Sequence, residues 1–186
     1  FDPAPGDTAA VSAAASDVRG AGKVFSDASA NVSKLNSSAW TGDAADAFRS
    51  QLKDLPRNLD VAARSHQTAA QTLVDWGTGL SARQRRAADL EARAADLRRQ
   101  ERSAVAEVNR LASQTAPSAS PEFARLKDQY DTARSHANSV SSQLQEVIGQ
   151  ARRLLDEHRS AASSAAGAID NVANAPYKEP GWLSRA

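Results

Sequence analysis

EFARLKDQYDTARSHANSVSSQLQEVIGQARRLLDEHRSAASSAAGAIDNVANA, residues 122–175, carries two rows of mostly apolar or small residues repeating every seven positions. Phe123, Tyr130, Ala137, Leu144, Ala151, His158, Ala165 and Val172 form one row. Leu126, Ala133, Val140, Val147, Leu154, Ala161, Ala168 and Ala175 form the other. A seven-residue repeat sustained this far without a phase slip predicts a helix packed lengthwise against other helices. At 1.5 Å per residue it would run about 80 Å.

The same pattern appears upstream. Between Asp43 and Leu111 one row is Ala45, Leu52, Leu59, His66, Leu73, Leu80, Ala87, Ala94, Glu101 and Val108. Its companion is Phe48, Leu55, Ala62, Ala69, Trp76, Arg83, Leu90, Leu97, Ala104 and Leu111. Trp76 therefore reads as a core residue. Pro56 removes one backbone donor and predicts a local kink. Gly77 and Gly79 could bend or break the helix, and a tight turn there would give a four-helix bundle. The unbroken phase across both points favours one continuous helix. A third segment, Asp7 to Leu35, repeats Val11, Val18, Phe25 and Val32, with Ala14, Ala21, Ala28 and Leu35 three residues after each. Asp7 stands where an N-cap is expected.

Short connections at Asn36–Gly42 and Ser113–Pro121 make neighbouring helices antiparallel. The sequence thus predicts an all-α, elongated antiparallel helical bundle. It has one helical hairpin over 7–76 and a long coiled-coil-like hairpin over 80–175, with Ala175 near Leu59. Residues 1–175 read as a single helical domain. Pro176, Pro180, Gly181 and Trp182 mark 176–186 as a linker, and a chain beginning at Phe1 without methionine reads as part of a longer protein.

Composition narrows the function classes. The 23 Lys and Arg balance 22 Asp and Glu, which gives no case for binding nucleic acid. Cysteine is absent, so disulfides and thiolate metal sites are excluded. No apolar run approaches the roughly 18 residues of a membrane span, so no stable insertion is expected. Seven arginines between Arg83 and Arg102 are interleaved with Asp89, Glu91, Asp96 and Glu101, the pattern of a solvated helix flank. Glu101 is a candidate for pairing across the hairpin with Arg134. His66 and His158 lie on the rows and His136 beside one, without ligand spacing, so no metal or cofactor is expected. No nucleophile–base arrangement or phosphate loop occurs, and the chain reads as non-catalytic.

The first connection holds the most informative motif, Leu35-Asn36-Ser37-Ser38-Ala39-Trp40-Thr41-Gly42-Asp43-Ala44-Ala45-Asp46-Ala47-Phe48. Gly42 permits a close or left-handed backbone, and Thr41 or Asp43 can cap the next helix. Trp40 can close the end of a thin hairpin or anchor a partner. Trp40, Thr41, Gly42 and Phe48, with Leu55-Pro56 downstream, resemble the WxG family of type VII secretion substrates. The arrangement is most similar to the N-terminal secretion-signal domains of actinobacterial polymorphic toxins. The resemblance is clearest over residues 7–80.

What the resemblance implies is a folded export signal, secreted without a cleaved signal peptide. It would be recognised by small helical partner proteins and by the secretion ATPase, and would precede an effector domain. One family feature, Tyr followed four residues later by Asp or Glu, is missing, because Tyr130 is followed at that spacing by Arg134 and Tyr177 by Gly181. The competing reading is a structural coiled-coil protein that self-associates as a homodimer, with no export role.

Overall fold

A computed structural model describes residues 1–35, 40–118 and 120–173. Four helices account for nearly all of them: α1 (Thr8–Ser33), α2 (Asp43–Leu52), α3 (Leu55–Ala112) and α4 (Pro121–Ala173). No strand occurs among the described residues. The chain forms two compact units.

One unit comprises Gly6–Ser81 and the described residues from Arg159 on. It opens at the expected cap, where the Asp7 carboxylate accepts from the Ala9 and Ala10 amides at 2.8 and 3.1 Å. That satisfies two of the four amides a helix start leaves open. The contacts of α1 with α3 then run in opposite chain directions. A Cβ on Gly6 would lie 3.0 Å from Leu80, and one on Gly77 would lie 3.2 Å from Val11. A Cβ on Gly22 would lie 3.1 Å from the Cβ of His66 and 3.3 Å from the Ala63 carbonyl. Further along, the Ser29 hydroxyl donates to the Pro56 carbonyl at 3.1 Å. Partner numbers fall on α3 as they rise on α1, so the two helices are antiparallel, as the short connection requires.

The buried row of α1 differs from the expected one. Ala15, Gly22 and Ser29 are buried, each four residues after Val11, Val18 and Phe25 rather than three. Ala14 is exposed, Leu35 lies 60% exposed, and Ala21 and Ala28 are half-buried. The row that wins has the smallest side chains, which let the backbones of α1 and α3 close to direct contact. Gly77 has the same role on α3. It does not break the helix, which runs through it, and it makes room for Val11 instead.

The break falls at Pro56. The expected single helix from Asp43 divides into α2 and α3 at Lys53–Asp54. Proline cannot donate to the Leu52 carbonyl, and its ring crowds the preceding turn. Pro56 therefore sits in the first turn of a new helix, where its missing N–H costs nothing, and Asn58 donates to the Asp54 carbonyl at 3.0 Å. Lys53 keeps helical dihedrals, φ −54° and ψ −40°, so the phase of the buried row carries on into Leu59 and His66. On α4 the predicted positions Ala161, Ala165 and Val172 are half-buried. Ala175 and the proposed linker 176–186 lie outside the described residues.

The other unit comprises Phe1–Pro5 and Ala82–His158. The heptad rows of α3 and α4 are its core. Ala104 and Leu111 are buried on α3, and Val140, Leu144, Val147, Leu154 and His158 on α4. At the turn between them the Gln114 amide donates to the Leu111 carbonyl at 3.1 Å. Ser120 caps α4 by accepting from the Phe123 amide at 3.2 Å, with Pro121 as the first helical residue. No ion pair joins Glu101 to Arg134 among the described residues. An ion pair that does cross this hairpin is Arg86–Glu157, at 2.9 Å.

Two stability predictions follow from this packing. Leu154 is fully buried, so Leu154→Ala should lose about 2–5 kcal/mol in urea unfolding followed by circular dichroism. Gly20 and Gly22 lie two residues apart in α1 but only Gly22 is against a neighbour. Gly20→Ala should raise stability by about 1 kcal/mol through helix propensity. Gly22→Ala should lower it, because overpacking of about 1–3 kcal/mol outweighs that gain.

Candidate functional site

Gly42 organises the motif at the start of α2. Its φ of 103° and ψ of 173° lie in a region that side chains avoid, and it is the N-cap of the helix. The Gly42 carbonyl accepts from the amides of Ala45 at 2.9 Å and Asp46 at 3.1 Å. A Cβ on Gly42 would touch nothing within 4 Å, so backbone conformation, not space, calls for glycine here. The capping expected of Thr41 or Asp43 is not made: no side chain caps the helix, because the turn reaches the cap position at Gly42. Asp43 and Asp46 lie in the first turn, where a negative charge suits the helix dipole. Ala45 is fully buried beneath them, while Thr41 is exposed.

Trp40 and Phe48 are brought together. Their ring centroids are 5.5 Å apart at 54°, a tilted aromatic contact. Arg49 holds the turn from the helix side, donating from Nη2 to the Trp40 carbonyl at 2.5 Å and pairing with Asp46. The aromatic pair closes no core: Trp40 stays 47% exposed and Phe48 40%. Phe48 had been placed on the seam by its spacing, as had Leu55 one heptad later, and both are exposed. The Arg49 anchor was legible only as an Asp46–Arg49 spacing of three on a helix, a common surface pattern.

The other candidates resolve into structural roles. His66 Nδ1 donates to the Ala62 carbonyl at 2.8 Å, and its ring lies 5.0 Å from that of Phe25. His158 is buried and His136 exposed. Trp76 is half-buried. Among the described residues no group of three His, Asp or Glu side chains could hold a metal. In the arginine stretch Arg86 pairs with Glu157 and Arg99 with Asp96. Further along α3 the hydrogen bond from Arg110 holds the Glu107 carboxyl below its usual range. Among the described residues no helix is long and apolar enough to cross a membrane.

These observations define an all-helical domain whose WxG turn is ordered by backbone geometry and displays an aromatic pair. The family model described as "Putative T7SS secretion signal domain" matches residues 4–180. The chain belongs to that family of type VII secretion signal domains, and the match takes in the α3–α4 hairpin as well as the WxG turn. No curated protein and no solved structure matches the chain.

The geometry predicts how two substitutions divide. Gly42→Ala should cost about 1–3 kcal/mol, since alanine is strained at this φ and ψ. Trp40→Ala should cost only about 0.5–1.5 kcal/mol, the worth of one exposed aromatic contact. Urea titration of both variants beside the parent checks the order, and a Trp40→Ala chain that melts outright would make that ring a core residue.

Proposed function

We propose that this domain is the non-catalytic targeting region of a type VII secretion substrate of the polymorphic-toxin kind. Trp40, Thr41, Gly42 and Phe48 form the element that small WxG-like helical partners recognise. The secretion ATPase then engages the paired signal, and the protein leaves the cell without a cleaved signal peptide. The observation that carries this reading is an exposed Trp40–Phe48 pair, held by Gly42 and Arg49, within a domain of the secretion-signal family.

Physical reasoning supports the docking mode. Leu35, Trp40, Phe48 and Leu55 are all exposed large apolar side chains in one compact unit, at 60, 47, 40 and 37%. Phe48 and Leu55 continue a heptad row that is covered elsewhere in the chain. A row of this period left open suits the apolar face of another helix, and a large aromatic near its middle suits an anchor. Thr41 contributes a small exposed polar side chain between the anchor and the cap. The tyrosine-based signal missing from this sequence would come from the partner.

The decisive experiment follows export in an actinobacterium with an active type VII system. Trp40→Ala and Phe48→Ala substrates should keep the parent's helicity, lose co-purification of the small helical partner, and fall at least tenfold in culture supernatant while accumulating in cells. Undiminished export of both variants would remove the motif from recognition.

A further inference from the structure

α2 differs from the helices beside it in how little it buries. It has ten residues, and a helix shorter than about 12–15 residues is marginal in water unless packing holds it. Ala45 is buried and Leu52 half-buried, while Ala44, Ala47 and Phe48 are exposed. No side chain caps its start.

The contacts that order the WxG turn are internal to the motif. Trp40 packs on Phe48, Arg49 donates to the Trp40 carbonyl, and Arg49 pairs with Asp46. All three begin and end within residues 40–49, so the turn and the helix hold each other. Anchoring to α1 is firm directly after the break at Lys53–Asp54. The buried Ser29 of α1 donates to the Pro56 carbonyl in the first turn of α3. Further along, Ala63, Ala69, Ala70 and Leu80 of α3 are buried, and Gly22 of α1 lies against Ala63. Between the two stretches, Pro56 has no amide to offer the Leu52 carbonyl. A loosely packed helix therefore meets a firmly packed one where the backbone ladder is weakened, and a few residues at an element's end suffice for a hinge.

We propose that residues 40–52 move as one body about Lys53–Asp54 while α1 and α3 stay paired. Phe48 travels with the body and Leu55 stays with α3. Both are exposed and lie on either side of the break, so the motion changes the angle between two members of one apolar row and fits that row to the helix that covers it. This use rests on the helical partner proposed above. The motion itself does not.

The sequence contains no cysteine, so two introduced cysteines can carry spin labels without background, and electron–electron distance measurements on the frozen 186-residue chain test the hinge. Ser50→Cys/Arg64→Cys places labels on exposed positions on either side of it. Lys23→Cys/Asp75→Cys reports on α1 against α3. The first distance distribution should be about twice as broad as the second, because freezing traps the orientations that a hinge motion visits. Pro56→Ala, which restores the amide, should narrow the first and leave the second unchanged, with circular dichroism confirming that each chain folds. Equal widths for the two pairs overturn the proposal, as does a first distribution unmoved by Pro56→Ala or a second as broad as the first. These distributions need neither partner nor export, so they stand or fall apart from the recognition reading. In the export assay the Pro56→Ala substrate, with Trp40 and Phe48 intact, should reach the supernatant in reduced amount. Undiminished export of a chain whose first distribution has narrowed would overturn the hinge's part in recognition.

Discussion

Two helices of more than fifty residues are stable in water only if each can bury a continuous stripe along its length. The 3-4 alternation of apolar residues supplies that stripe on α3 and α4. Leu80, Ala104 and Leu111 on α3, and Val140, Leu144, Val147 and Leu154 on α4, are buried members of it. Much of the remaining seam is alanine, which buries little area but admits close backbones. Stability is therefore spread thinly over many turns.

Close approach is the second constraint. Gly6, Gly22 and Gly77 stand where a methyl group would meet a side chain or carbonyl across the α1–α3 contact. Glycine in a helix ordinarily costs about 1 kcal/mol relative to alanine. At Gly22 and Gly77 that cost is offset by contact area gained along both helices. Gly20, two residues from Gly22, has no neighbour within 4 Å and no comparable compensation.

The WxG turn follows from backbone rules of a different kind. A positive φ at Gly42 sets the cap, Arg49 draws in the Trp40 carbonyl, and the ring of Trp40 comes to rest on Phe48. Each step is local and independent of the long seam. That separation lets an apolar pair stand exposed on a helical frame whose stability comes from elsewhere.

By itself the sequence determined the helices, the Asp7 cap and most of the buried positions on α3 and α4, because a period of seven and the cap preference are local properties of the chain. It also carried the WxG turn, through three residues in fixed spacing. Tertiary structure alone decided which row of α1 goes inside. Rows three and four residues after Val11, Val18 and Phe25 are both built of small residues, and only close contact with α3 selects Ala15, Gly22 and Ser29. Contact with Val11 likewise separated Gly77 as a packing position from Gly77 as a breaker. Exposure of Phe48 and Leu55 was hidden for the same reason: periodicity marks a face as apolar, but whether another helix covers it depends on how far each neighbour reaches.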